Sequence, residues 1–118
     1  MKIYVSHSSQ FNYQEELYKP FRSSEFNVKN GITLPHENST ENVVSKEYFD
    51  YCDLVIAEVS YPSTGMGIEL GWANMKGVKI ICIHKSGTTP SAATKAVSEN
   101  FIEYSSFEDM FERLQVFL

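Results

Sequence analysis

The stretch richest in chemistry covers residues 53–73. It runs from a β-branched apolar segment, Leu54-Val55-Ile56-Ala57, through a Pro62-Ser63 turn and two glycines into a segment of helical spacing that carries Glu69. Gly65 and Gly67 let the backbone approach a ligand closely, and the free N–H groups of a helix start could hold a phosphate or a sugar hydroxyl. Glu69, in the first turn or so and near the positive helix end, is expected to have a lowered pKa and to stay ionised at neutral pH. That suits a nucleophile better than a general acid. A plainer reading stands beside it: the glycines close-pack the helix on its neighbours and Glu69 only satisfies the helix dipole.

Several classes of function are excluded by composition. The chain has 118 residues, 42% of them hydrophobic, which suits one core and one domain spanning 1–118. Ten Lys and Arg against fifteen Asp and Glu give a formal charge of -5, so a nucleic-acid backbone finds no general attraction here. No run approaches the length of a membrane span, and residues 1–6 enter a strand without an apolar leader, so a cytoplasmic location is expected. Cys52 and Cys82 lie in no C-x-x-C pair and read as reduced core thiols. His7, His36 and His84 are scattered, so neither a metal nor another cofactor is expected. Five of the six glycines, Gly65, Gly67, Gly71, Gly77 and Gly87, crowd into one stretch.

The elements that must position Glu69 follow from periodicity. Residues 2–6 read as a first strand, and 13–22 as an amphipathic helix that Pro20 ends or kinks, with a loop after it. Residues 31–35 suggest a short second strand running into Pro35-His36-Glu37-Asn38. Residues 41–51 suggest a helix capped by Ser39 or Thr40. The runs 54–57 and 78–83 suit parallel strands buried on both faces, with a helix over 67–75 between them. A weaker strand at 101–104 precedes a closing helix capped by Ser105 or Ser106, with Phe107, Met110, Phe111, Leu114 and Phe117 at helical intervals. This alternation predicts a single-domain, three-layer α/β fold: a flavodoxin/Rossmann-like open parallel five-stranded sheet of order 2-1-3-4-5. Ligands of such sheets bind at the carboxyl ends of the strands, here the loops at 6–10, 35–38, 60–69 and 85–91.

The run P-S-T-G-M-G-I-E-L-G-W-A, preceded by D-L-V-I-A-E-V-S, resembles the signature of the nucleoside 2-deoxyribosyltransferase superfamily, closest to its 2'-deoxynucleoside 5'-monophosphate N-hydrolase branch. I-Y-V-S-H-S, L-P-H-E and S-G-T-T-P-S-A extend the resemblance over nearly the whole chain. The resemblance implies an N-glycosidase in which Glu69 attacks the anomeric carbon and a covalent deoxyribosyl ester is then resolved by water or a second base. Alternatives of the same fold are a transferase that exchanges bases and a non-catalytic nucleotide-binding module. Ser63 matches a residue that contacts the 5'-phosphate, Ser91 a phosphate-contacting serine contributed by a partner subunit, and Tyr4 a tyrosine that hydrogen-bonds near the nucleophile. A small nucleotide or nucleoside substrate and a homodimer are thereby implied. Each residue also has a structural reading: Ser63 as a turn former, Ser91 as a helix cap, Tyr4 as core.

Two departures stand out. The aspartate that the family carries eight positions before Asp53 is Ser45 here, which cannot act as an acid. Either Glu47, Asp50, His36 or Glu37 replaces it, with Glu58 in reserve, or activity is weak. The glycine-serine step after strand one is Ser6-His7-Ser8-Ser9, where His7 either touches substrate or is a solvated loop residue. S-H-S-S after a first strand also resembles TIR domains, which cleave the N-glycosidic bond of NAD. Trp72 either flanks the base or belongs to the core or a dimer interface, and Asp53 reads as a turn residue at the opposite strand end.

Overall fold

The computed structural model describes residues 1–38 and 44–118. Its centre is a parallel five-stranded sheet of order β2-β1-β3-β4-β5, formed by β1 (Lys2–His7), β2 (Gly31–Thr33), β3 (Leu54–Glu58), β4 (Lys79–Lys85) and β5 (Asn100–Tyr104). This is the order expected from the alternation of elements. All five residues of β3 are buried, as a strand with neighbours on both sides and helices on both faces requires. The β1 and β3 registers pair Tyr4 with Val55 and Ser6 with Ala57.

Strand pleating sorts the side chains into two cores. Ile3, Val5, Leu54, Ile56, Ile81 and Ile83 face one side, where α1 (Lys19–Arg22), α2 (Glu25–Lys29) and α4 (Phe107–Leu114) cover them with Phe21, Phe26, Met110 and Leu114. Tyr4, Val55, Ala57, Ile80 and Cys82 face the other side, beneath α3 (Thr64–Met75) and the 3-10 helix Lys46–Tyr51. Leu70 alone contributes about 1.5–3 kcal/mol by leaving water, which fixes α3 on the sheet.

Local departures from the sequence reading have physical reasons. Pro20 does not end its helix: it lies at the start of α1, and the backbone ahead of it is already helical through a π-helical turn at Gln14–Tyr18, an irregularity of the kind a proline within a helix brings. The loop expected after Arg22 contains α2, capped by the Ser24 side chain, which accepts from the Asn27 N–H. Ser106, rather than Ser105, caps α4. Part of the helix expected over 41–51 is the 3-10 helix, while its proposed caps Ser39 and Thr40 lie outside the described residues. Asp53 accepts from the Lys2 N–H at 2.8 Å, a strand-start turn contact far from the carboxyl ends. Cys82 is buried in β4, Cys52 is half-buried, and both thiols are free.

Candidate active site

Helix α3 begins at Thr64, three residues earlier than periodicity suggested, because Ser63 caps it: the Ser63 hydroxyl accepts from the Met66 N–H at 3.3 Å. Met66, Leu70 and Ala73 form the buried stripe at i, i+4 and i+7. Glu69, three residues after Met66, lies beside that stripe and over β1. There Tyr4 Oη donates to Glu69 Oε2 at 2.6 Å and Ser6 Oγ donates to Glu69 Oε1 at 2.7 Å. Each carboxylate oxygen thus has one donor. The Tyr4 ring is fully buried and set edge-on against Tyr48 and Phe49, with centroids 5.4 and 5.5 Å away. Burial and the neighbouring carboxylate hold its hydroxyl protonated, well above the usual tyrosine range.

Above the carboxylate opens a cleft of about 370 Å³, lined by His7, His36, Ser63, Gly65, Glu69 and Trp72 among others. It lies at the carboxyl ends of β1 and β3, where chain connections depart to opposite sides. A second cleft of about 470 Å³ lies across the head of α3, bounded by Gln10, Tyr61, Thr64, Gly67 and Ser91, and shares Ser63 and Met66 with the first. The loop after β1 is tied to the loop after β3: Gln10 Nε2 donates to the Pro62 carbonyl at 3.1 Å, and Phe11 stacks on Tyr61 at 5.1 Å.

The expected lowering of the Glu69 pKa does not occur. Glu69 is in the second turn of α3, beyond the reach of the helix-end dipole, and its half-buried position pushes the carboxyl above the usual range. The hydrogen bonds from Tyr4 and Ser6 and the nearby His36 offset only part of that shift. A half-buried carboxylate of raised basicity in a cleft is a frequent mark of a reacting group.

No protein-family model matches the chain. A protein of Thermofilum pendens, provisionally named 2'-deoxynucleoside 5'-phosphate N-hydrolase 1, is 29% identical over 96 residues, covering 77% of this chain and 64% of that protein. The chain therefore spans a little under two thirds of that relative's length. Among solved structures, the CMP N-glycosidase of Clostridium botulinum aligns over 100% of both chains with a TM-score of 0.67 and 19% identity, which establishes the shared fold. The chain resembles the nucleotide N-glycosidases. The likeness read from the G-M-G-I-E-L-G run to the 2'-deoxynucleoside 5'-monophosphate N-hydrolase branch is borne out by the Thermofilum pendens match, and the fold expected with it by the Clostridium botulinum structure.

On this N-glycosidase-like scaffold the residues singled out in the sequence divide. Glu69, His7, His36, Ser63 and Gly65 share one cleft, with Tyr4 beneath it, whereas Gly67 and Ser91 border the second cleft. Ser91 precedes the 3-10 helix Ala92–Ala96, and its carbonyl, not its hydroxyl, accepts from the Thr94 side chain. His7 is no solvated loop residue. It ends β1, buried, with Nδ1 2.8 Å from the Ser8 carbonyl and Nε2 2.6 Å from Tyr18 Oη. A carbonyl only accepts, so Nδ1 carries the proton and Nε2 accepts from Tyr18. Burial lowers its pKa to about 4.

The glycines do not close-pack α3. A Cβ at Gly67 or Gly71 would meet no neighbour within 4 Å, and one at Gly65 only the Ser63 hydroxyl at 4.0 Å. Gly77 and Gly87, with φ of 74° and 85°, are the positions whose backbone favours glycine. Ser6 is the residue that the sequence reading missed. A serine at the penultimate position of a strand has no spacing signature, though it shares the face of Tyr4 through two-residue alternation.

Glu58 is also displaced from its expected reserve role. It is fully buried on the opposite face of the sheet from Glu69, where its carboxylate accepts from the Tyr104 hydroxyl and, at 2.7 Å, from the Ser60 N–H. Ser60 Oγ in turn accepts from the Lys85 N–H at 2.8 Å. Asp50 is paired with Lys76 at 2.7 Å, Glu37 with Arg22 at 2.7 Å, and Glu47 is exposed. Among the described residues no group of three His, Cys, Asp or Glu could hold a metal, and no helix is long and apolar enough to cross a membrane.

Proposed function

We propose that the chain is an N-glycosidase that cleaves the base-sugar bond of 2'-deoxynucleoside 5'-monophosphates, with Glu69 as nucleophile. The observation that carries the reading is the Glu69 carboxylate held by Tyr4 and Ser6 at the floor of the cleft. Two hydroxyl donors fix its orientation, and half-burial keeps it basic, both useful for attack on an oxocarbenium-like centre. Ser63 and the amides of Thr64 and Gly65, which have no carbonyl one turn earlier, suit the 5'-phosphate. None of the described residues lining the Glu69 cleft is Lys or Arg, so in this reading the phosphate rests on amides and hydroxyls. A second copy would supply Ser91 to its neighbour, making the working unit a homodimer.

The experiment is a screen of nucleosides and 5'-monophosphates for released base. The expected result is base and deoxyribose 5-phosphate from a deoxynucleoside monophosphate, abolished by Glu69→Ala. The Clostridium botulinum protein is named for CMP, so ribonucleotides form a second arm of the screen. A new nucleoside formed from a free deoxynucleoside and an acceptor base would favour the transferase. Thermal stabilisation by nucleotide without turnover would favour a binding module, and wild-type rates in Glu69→Ala would remove the nucleophile.

A further inference from the structure

Breaking an N-glycosidic bond leaves an electron pair on the base, which departs readily only when a proton reaches it. Among the described residues that line the Glu69 cleft, three side chains titrate: His7, His36 and Glu69. Glu69 is the nucleophile in the reading above. His7 spends Nδ1 on the Ser8 carbonyl and Nε2 on Tyr18 Oη, and so stays a neutral, fully bonded ring. Tyr4 and Ser6 direct their protons at Glu69 itself.

His36 differs from all of these. Its main chain is clamped on both sides: the N–H donates to Tyr18 Oη at 2.9 Å, and the carbonyl accepts from Gln14 Nε2 at 2.9 Å. Its ring stands edge-on to His7 at 5.7 Å and lies 5.9 Å from Tyr13. Yet Nδ1 is buried and has no hydrogen-bond partner among the described residues. A buried polar atom without a partner costs about 1–3 kcal/mol. No hydrogen bond among the described residues commits the Nδ1 side of this ring, and His36 lines the Glu69 cleft. The same Tyr18 hydroxyl that accepts from the His36 main chain also donates to the His7 ring, so it saturates His7 while leaving the His36 ring untouched.

We infer that protonated His36 delivers the proton to the departing base, an inference that rests on the N-glycosidase reading of Glu69. As the C1'–N bond breaks, its electron pair passes to the base nitrogen, His36 gives its proton to the base, and a Glu69 oxygen forms the new C1'–O bond. In the second step neutral His36 takes a proton from water. The water oxygen bonds to C1' as the ester C1'–O bond breaks and its electron pair returns to Glu69. Sugar phosphate leaves, and both side chains regain their starting charges.

Among the described residues, the groups that face His36 are His7 from β1, Tyr13 ahead of the π-helical turn, Tyr18 within it, and Glu69 from α3, with Glu37 adjacent in the chain. Burial keeps His7 and Tyr18 uncharged, and Arg22 holds Glu37 ionised through two hydrogen bonds at 2.7 and 2.8 Å. A positive charge at His36 favours the ionised form of Glu69, so acid and nucleophile support each other's working state.

The test compares two substrates with wild type and His36→Asn: a 2'-deoxynucleoside 5'-monophosphate, and 4-nitrophenyl 2-deoxyribose 5-phosphate, whose nitrophenolate leaves without a proton. The expected result is a kcat on the nucleotide about 10²–10⁴-fold lower, with a far smaller loss on the aryl glycoside. In the wild type alone, kcat/KM for the nucleotide should fall on the alkaline side while that for the aryl glycoside does not, a reading independent of how the variant folds. Equal losses on both substrates, or an unimpaired nucleotide rate in His36→Asn, would overturn the assignment and leave Glu69 standing. A wild type that releases base from no nucleotide would instead remove the underlying reading and His36 with it.

Discussion

Tyr4 and Glu69 are 65 residues apart in the chain and joined by a 2.6 Å hydrogen bond that links the first strand to the third helix. The bond stabilises the ionised carboxylate against the burial that opposes it. Removing the hydroxyl in Tyr4→Phe should therefore raise the Glu69 pKa further, and Ser6→Ala should do the same. Both variants are expected to shift the acid limb of the kcat/KM profile to higher pH and to lower its plateau by about 10-fold or more. A pH-rate series on purified variants checks this, and an unmoved acid limb would show that the donors only pack.

Glu69→Gln should trade activity for stability. The folded-state pKa of Glu69 is raised, so its stabilising contribution is present below the unfolded pKa and is lost as pH rises through the folded one. Glutamine stays neutral, and the hydroxyls of Tyr4 and Ser6 can both still bond to it. The variant should melt higher than wild type at neutral pH, and the gain should shrink in acid. Thermal melts across that range decide it.

His7 makes the opposite demand on pH. Its pKa is lowered to about 4, so the stability gained by burying a neutral ring is complete above the ordinary histidine range and is lost as pH falls towards 4. The contribution at stake is on the order of 3 kcal/mol. An NMR titration should find the His7 ring unprotonated well into acid, and Tyr18→Phe, which strips its Nε2 partner, should destabilise by about 1–3 kcal/mol.

Gly67→Ala should stabilise α3 by about 0.5–1 kcal/mol, since alanine is the better helix former and its Cβ meets nothing within 4 Å. Gly65→Ala has similar freedom within the chain but adds a methyl group to the Glu69 cleft. Comparable melting gains with a raised KM only in Gly65→Ala are expected. Equal kinetics in both variants would mean that the ligand does not approach Gly65.

The sheet was legible because β3 carries the continuous apolar run Leu-Val-Ile-Ala and β4 the run Ile-Ile-Cys-Ile, a pattern that two-sided burial favours. The helix heads were less so. Periodicity placed the start of α3 at Gly67, although Pro62-Ser63 already carried a cap signal; that shift removes the dipole argument for a lowered Glu69 pKa, and burial, which periodicity does not show, raises it. Glu69, His36 and Gly65 were singled out through motif and loop position, whereas Ser6 and the burial of His7 depend on contacts between β1 and the helices packed on it, which no local pattern encodes. α2 was missed because five residues are too few to display a period.

Glu58, sealed on the far face, has a bearing on the cleft that its distance conceals. It anchors Ser60 while being gripped by Tyr104 of the outermost strand, and Ser60 begins the loop that delivers Ser63 and α3. Strand β5 is thus a tether for the loop after β3, and drift at Tyr104 would be transmitted towards the cleft on the opposite side of the sheet. A search for activity-tuning substitutions in this protein should therefore include β5 as well as the walls of the cleft.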